Sequence, residues 1–320
     1  MSVLVYIENW NGQFKKQTKE LLAYATDVAA ALGHELVGLS IGSASDEALR
    51  ELSAFGLGKT LVVRGQAFDK FTSINYANAL ETAVDHTGAK TVIMGNTYNG
   101  KSMAPRLTAT LDASLATSVI SLPDLSQGFV VKRSVFSSKG YAYVDLRNGY
   151  KVLTLTVNSY SIKENPAGFS LEDITPLVAV NDKVSVVGSE LQSGKVPLTE
   201  AELVVSGGRG LKGPENWGMI EELADLLGAG TACSKPVSDV GWRPHSEHVG
   251  QTGITIGPNL YLAIGISGAI QHLAGVSSSK VICVVNKDPE APFFAAADYG
   301  IVGDAFEVVP KLIEAVKSLH

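Results

Sequence analysis

The chain has 320 residues, 26 of them Lys or Arg and 32 Asp or Glu, for a formal charge of −6. That acidic balance, without a basic domain, argues against a nucleic-acid partner, and no apolar run approaches the ~18 residues of a membrane span. Hydrophobic residues at 45% and charged residues at 18% suit ordinary buried cores and exclude a mostly disordered chain, while a length of 320 predicts two domains at ~100–200 residues each.

Strand and helix patterns alternate through the first half. Ser2–Ile7 reads as a strand. Lys16–Leu32 reads as a helix, with Leu21, Leu22, Ala25, Val28, Ala29 and Leu32 at helical spacing and Gly33 as its stop. Leu36–Ile41 (strand), Ser45–Ser53 (helix), Lys59–Val63 (strand), Ser73–Val84 (helix), Thr91–Met94 (strand) and Ala104–Leu111 (helix) follow. This is the alternation of a parallel sheet with right-handed crossovers. Phe129–Val135, Gly140–Leu146 and Val152–Val157 then read as strands, and Asn148-Gly149 between the last two is a strong hairpin signal. An antiparallel section is therefore expected at the end of the first domain. Asn158–Thr175 reads as loop and Leu177–Val187 as further strand.

The polar stretch 189–199, broken by Gly194 and Pro197, marks a linker between domains 1–188 and 200–320. Beyond it, strands at Glu202–Ser206, Leu260–Ile266, Lys280–Val285 and around Ile301 alternate with helices at Glu215–Leu227, Ser267–Ala274 and Ala305–Leu319. The fold class is α/β, with two domains, each a mainly parallel sheet flanked by helices. Glycine is the one unusual count. There are 32, sixteen in residues 1–200 and sixteen in the shorter 201–320, which suggests loops that touch a ligand with their backbone.

Four motifs lie in that second region. Ser206–Gly213 contains G-x-G-x-x-G at Gly208, Gly210 and Gly213, after a strand and before a helix, with Arg209 as a planar cation. Without a ligand it is a tight turn. Val249–Gly253 presents Gln251 and Thr252 between Gly250 and Gly253, and alone is an ordinary β-turn. Gly265–His272 stands at a strand end, where open α/β sheets bind ligands. There Ser267 caps a helix and meets phosphate, and His272 offers a donor or a positive charge. The bland alternative is a satisfied histidine. Asn286, at the next strand end, suits a base or ribose edge or a turn, and Asp304 suits ribose hydroxyls or an N-cap. His245-x-x-His248 lacks further ligands at a supporting spacing, so no metal is expected. Cys233 and Cys283 are too few for a disulfide framework and are expected to be buried, inert thiols in a reducing cytoplasm. The opening residues Met1–Trp10 lack a secretory signal pattern.

VVSGGRGLKGPENW, VGQTGITIGPNLYLAIGISGAIQHLAG and VVNKDPEAPFFAAADYGIVGDAFEVVP resemble the C-terminal domain of the electron transfer flavoprotein alpha subunit, from Leu203 to about Lys317. The first half is similar more loosely, chiefly in its strand–helix pattern and at Pro105–Leu111. The resemblance implies a Rossmann-like FAD-binding domain over 200–320. It also implies an N-terminal domain packed on a beta subunit, itself a carrier of AMP or a second FAD. It implies an electron carrier rather than an enzyme, taking electrons from acyl-CoA dehydrogenases or similar flavoenzymes in fatty acid β-oxidation and passing them to a quinone oxidoreductase, with no membrane insertion of its own. By the same resemblance Thr252 faces the flavin N5 edge, with Gln251 and Arg209 close to the ring. His272 faces the C2 carbonyl. Ser267, Gly268 and Ala269 meet the ribityl and phosphate portion, and Asn286 and Asp304 hold the ADP end. Gly253, Gly265 and Gln271 join the same cofactor-binding set. Ser234-Lys235 stands where the family has Ser-Arg beside the flavin, so the charge is kept without the planar fork. On residues alone three other functions stay open. One is a nicotinamide-dependent dehydrogenase, for which no acidic ribose reader follows the glycine motif. Another is a hydrolase on Ser267 and His272, with Ala269 spoiling the G-x-S-x-G elbow. The third is a non-catalytic nucleotide-binding regulator.

Overall fold

The computed structural model describes residues 1–136, 140–188 and 197–318. They divide into two compact units, each α/β: one of residues 1–135 and 141–188, the other of residues 197–318 together with 136 and 140. Most of the expected linker, 189–196, lies outside the described residues. Leu198, at its far end, is already buried in the core of the second unit.

In the first unit the strands are β1 (Ser2–Ile7), β2 (Glu35–Ile41), β3 (Lys59–Val63), β4 (Thr91–Gly95), β5 (Ser114–Val119), β6 (Val130–Val135), β7 (Gly140–Asp145), β8 (Lys151–Leu155) and β9 (Ser170–Asp173). The helices are α1 (Lys16–Leu32), α2 (Asp46–Glu51), α3 (Ser73–Thr87) and α4 (Tyr98–Leu111). They form one nine-stranded sheet in the order β7-β6-β5-β8-β4-β1-β2-β3-β9. Because strand side chains alternate between faces, β1 feeds both cores. Leu4 and Tyr6 pack with Tyr76, Leu80, Met103 and Leu107 from α3 and α4. Val3, Val5 and Ile7 pack with Leu21, Leu22, Tyr24 and Val28 from α1. The helix α1 ends at Gly33, whose φ of 64° and N–H bonds to Ala29 and Ala30 make it the expected C-cap.

Four expectations for this unit are corrected. The pair flanking Asn148-Gly149 is not a hairpin: β8 leaves β7 at the sheet edge and inserts between β4 and β5, parallel to both. The cause is burial. Val152, Leu153 and Leu155 are all inside, on both faces of β8, and such a strand belongs in a covered, parallel interior. The alternating, half-exposed β7 belongs at an edge. The antiparallel section expected here lies at the β5–β6 end of the sheet, beside β7. A strand, β9, lies inside the presumed loop 158–175, parallel to β3 and stapled to it by the Lys59–Glu172 ion pair at 3.0 Å. Over 177–187 there is a 3-10 turn ending at Leu177 and no strand. Finally, α4 begins six residues early, because the Thr97 hydroxyl accepts the Gly100 N–H at 3.0 Å and caps a polar first turn.

The second unit has β10 (Leu203–Gly207), β11 (Gly230–Cys233), β12 (Leu260–Ile264), β13 (Val281–Asn286) and β14 (Tyr299–Val302), with α5 (Gly218–Leu227), α6 (Lys235–Asp239), α7 (Ile270–Val276) and α8 (Ala305–Lys317). Its sheet is fully parallel, in the order β11-β10-β12-β13-β14. One face packs Val205, Leu262, Ile264 and Val285 against Ile220, Leu223, Val309 and Ile313 of α5 and α8. The other packs Val204, Tyr261, Ala263 and Val284 under Val249, Val276 and Phe293. The short strand β11, Gly-Thr-Ala-Cys, was not expected; its small residues carry no apolar pattern, yet all four are buried.

Candidate functional site

A parallel sheet brings every strand C-terminus to one edge. Here that edge gathers the loops after Gly207, Cys233, Ile264, Asn286 and Val302, and with them Arg209, Ser234, Lys235, Gly265, Ser267, Gly268, Ala269, Asn286 and Asp304. Counted within the unit, the strand order is 2-1-3-4-5. Its topological switch point falls between β10 and β12, where cofactors bind in such sheets.

The glycine motif sits at that point but does not cradle phosphate in the way its spacing suggests. The Gly208 N–H is donated to the Ile264 carbonyl (2.9 Å) and the Gly210 N–H to the Gly265 carbonyl (3.0 Å). A Cβ on Gly210 would lie 2.7 Å from Gly265 Cα. These glycines let two backbones touch. The expected helix also starts later, at Gly218, after 3-10 turns at Arg209–Leu211 and Pro214–Asn216, so no helix N-terminus follows the glycines directly.

The loop after β12 is different. Gly265 (φ 63°) and Gly268 (φ 84°) are both left-handed, and a Cβ on Gly268 would fall 2.5 Å from the Phe293 backbone nitrogen. The left-handed Gly268 also delays the helix, which starts at Ile270 rather than Ser267. Ala269, not Ser267, is the N-cap, and its carbonyl takes the N–H of His272 and Leu273. Among the described residues nothing accepts the backbone N–H of Ser267, Gly268 or Ala269. Three consecutive free donors with exposed Ser267 and Ala269 fit the acceptor-only pyrophosphate of a dinucleotide.

The Gly250–Gly253 turn is tied to this loop's helix, since Gln251 N–H is donated to the Gln271 carbonyl at 2.7 Å. The side chains of Gln251 and Thr252 are exposed, as is that of Gln271. His272 is not presented as a cation. It is 6% exposed, and its Nε2 lies 2.7 Å from the Tyr261 hydroxyl, a hydrogen bond whose donor follows the imidazole tautomer. Phe293 packs edge-on against the ring. Burial first, then the neighbouring His248, push its pKa down to about 4, against a smaller opposing pull from the Val249 backbone. At neutral pH it is an uncharged imidazole. The hydrolase reading loses its dyad, because Ser267 and His272 share no hydrogen bond and Nε2 is committed to Tyr261. Tyr261, inside an apolar strand run, carries no motif that would have marked it.

The remaining residues are held by the fold. Asn286 Nδ2 donates to the Ile266 carbonyl (2.9 Å), and its Oδ1 accepts the Asp288 N–H (3.0 Å), so its amide clamps the 265–269 loop to β13. Asp304 is the N-cap of α8, accepting the Phe306 N–H at 3.0 Å, with Lys212 Nζ at 3.9 Å. Ser234 is buried at the N-cap position of α6, with no capping bond from its side chain, and Lys235 is the exposed first residue of that helix. Arg209 is exposed on its 3-10 turn. Cys233 is buried, its thiol pushed up to about 12 chiefly by burial; Cys283 is only half-buried, and burial raises it too.

Sheet order, the free donors at the switch point and the exposed Gln251–Thr252 turn define a doubly wound domain for a dinucleotide cofactor. The chain belongs to the electron transfer flavoprotein alpha subunit family. Residues 197–277 match the electron transfer flavoprotein FAD-binding domain, and residues 3–175 match the electron transfer flavoprotein domain. The chain is 36% identical to the electron transfer flavoprotein subunit alpha of Syntrophomonas wolfei over 317 residues, 98% of each chain. It is 35% identical to that of Bacillus subtilis, over 99% of this chain and 98% of the relative. It is 33% identical to the mitochondrial alpha subunit of Arabidopsis thaliana, over 98% and 89%. FAD is therefore its cofactor, a beta subunit its partner, and electron carriage rather than catalysis its role. No helix among the described residues is long and apolar enough to cross a membrane.

Proposed function

We propose that this chain, paired with its beta subunit in the cytoplasm, holds FAD along the C-terminal edge of the five-stranded sheet and relays electrons. The donors are acyl-CoA dehydrogenases or similar flavoenzymes, and the acceptor is a quinone oxidoreductase or an equivalent oxidant. The observation that carries the reading is the 265–269 loop, with three unengaged backbone donors at the topological switch point.

Bound FAD supplies one- and two-electron redox chemistry at its ring. The chain's own part is to bind, orient and bias. Ser267, Gly268 and Ala269 direct N–H groups at the pyrophosphate and ribityl chain. Gln251 and Thr252 offer hydrogen bonds at the ring edge from a turn anchored to Gln271. Arg209 and Lys235 place fixed positive charge near that edge, which favours any added negative charge on the ring. His272, neutral and locked by Tyr261, contributes a dipole rather than a charge. Asn286 and Asp304 act on the ADP end mainly by shaping the loops that enclose it.

The test is to purify the heterodimer and count FAD and AMP per complex, then repeat with Thr252→Ala and Gln251→Ala. The reading expects one FAD assigned to this chain, with AMP or a second FAD on the partner, and a displaced flavin absorption band in each variant. A band unmoved by both would remove these residues from the ring edge. The dehydrogenase alternative is disfavoured because the Gly208 and Gly210 amides it would need are already committed to the 264–265 backbone.

A further inference from the structure

Among the described residues of the second unit His248 is the most buried imidazole, at 1% exposure, and the turn that carries Gln251 and Thr252 is built directly on it. Its carbonyl accepts the Ile254 N–H at 2.9 Å, and the next residue donates Val249 N–H to the Cys233 carbonyl at 3.1 Å, so both sides of the turn are pinned at this position. A Cβ on Gly253 would lie 2.8 Å from His248 Nδ1, and one on Gly250 would lie 3.4 Å from Nε2. The ring thus touches both glycines that bracket Gln251 and Thr252. Nδ1 itself is buried without a hydrogen-bond partner.

We propose that His248 is a positioning residue for FAD: its imidazole is the floor on which the 250–253 turn rests, and a proton added to that ring loosens the turn and the hold on the cofactor. The proposal rests on the reading that Gln251 and Thr252 meet the flavin. The ring has no acceptor for a second N–H where it faces Gly253, and burying a charge without a partner is costly. The groups around it come from every neighbouring element. His245, on its own turn, has its ring 5.2 Å away. From α6, Lys235 opposes a proton on His248 and Asp239 favours it. From β11, the Cys233 thiol stays protonated and uncharged. From α7, His272 is a neutral imidazole whose own protonation His248 opposes. Burial first, then His245, hold His248 below the ordinary histidine range, so it is neutral when the cofactor is held at neutral pH.

The experiment is an FAD titration of the apo heterodimer across pH, with wild type, His248→Gln and His248→Ala. From about pH 7.5 down to about pH 5 the wild-type dissociation constant rises several-fold, by at most about 30-fold, the limit set by an ordinary histidine losing its proton on binding. His248→Gln keeps the volume and a neutral amide, so it binds near the wild-type level at pH 7.5 but loses most of that pH slope. His248→Ala binds more weakly at every pH, because the turn has lost its floor. A purely structural histidine would lower the melting temperature without moving the slope. If His248→Gln retains the full slope, or His248→Ala binds FAD as tightly as wild type, the proposal is wrong. Thr252→Ala and Gln251→Ala are measured alongside. If neither displaces the flavin band, the reading of the turn falls and the proposal with it. If they displace it while the His248→Gln slope is unchanged, only the role of His248 falls.

Discussion

Asn286 gives the sharpest separation between a residue that touches the cofactor and one that shapes the loop around it. Its amide makes two hydrogen bonds, 2.9 Å to the Ile266 carbonyl and 3.0 Å from the Asp288 N–H, at a half-buried position. Each is worth about 1 kcal/mol net, so Asn286→Ala removes about 2 kcal/mol from the closed loop. If the loop must re-form on binding, that loss appears as an FAD dissociation constant raised about 10–30-fold. Asn286→Asp keeps the acceptor for Asp288 but loses the donor, and it sets a carboxylate against the Ile266 carbonyl beside the phosphates. It should bind more weakly than Asn286→Ala. The assay is fluorescence titration of apo heterodimer with FAD and, separately, with FMN. Loop clamping weakens both ligands. A direct contact with the ADP end would weaken FAD and spare FMN. An Asp variant that binds FAD as well as wild type would rule out Asn286 as the clamp of this loop.

Other predictions follow from the same edge. Because the folded pKa of His272 is depressed to about 4, the folded state binds fewer protons than the unfolded chain between about pH 6.5 and about pH 4. Its contribution, at most about 3 kcal/mol, is therefore complete above about pH 6.5 and is lost as pH falls toward 4. Urea unfolding of the heterodimer, followed by the tryptophan emission of the second unit, should show this slope in wild type and a flatter one in His272→Asn. Equal slopes would exclude His272 as its source. Lys235→Arg restores a planar cation at the first residue of α6. The flavin midpoint potentials should shift measurably in redox titration, and coincident titrations would show that this position does not tune the ring.

Much of the fold is legible in local pattern. Runs such as Ser2–Ile7 and Lys59–Val63, and helix α1 with its stop at Gly33, appear as read because each buries a continuous apolar set. What fails is what depends on distant partners. Nothing local in Val152–Leu155 says that it crosses back between β4 and β5, and Asn148-Gly149 permits a hairpin without requiring one. The strand β9 exists through edge pairing and the Glu172 ion pairs rather than through an apolar pattern of its own. At the site, residue type marked loops that the fold gathers at one sheet edge, but not what each polar atom is bonded to. Gly208 and Gly210 have the spacing of a phosphate turn, yet their N–H groups are spent on Ile264 and Gly265, while the free donors are at 267–269. His272 reads as an available donor, but only the packing of Tyr261 and Phe293 around it reveals that it is buried and neutral. His248 stood out in sequence as half of a metal-like pair, and the structure instead sets it under the 250–253 turn.

If FAD depends on the backbone of the 265–269 loop, one paired measurement shows it. Gly33 and Gly268 are both left-handed, with φ of 64° and 84°. A Cβ on Gly33 meets nothing within 4 Å, whereas one on Gly268 lands 2.5 Å from Phe293 N. Alanine at either position carries the left-handed strain of about 1–2 kcal/mol, but only at Gly268 must the loop itself move. FAD bound per heterodimer, counted after gel filtration, should stay at the wild-type level in Gly33→Ala and be largely lost in Gly268→Ala. A Gly268→Ala complex that retains its FAD with unchanged affinity and spectrum would contradict the account.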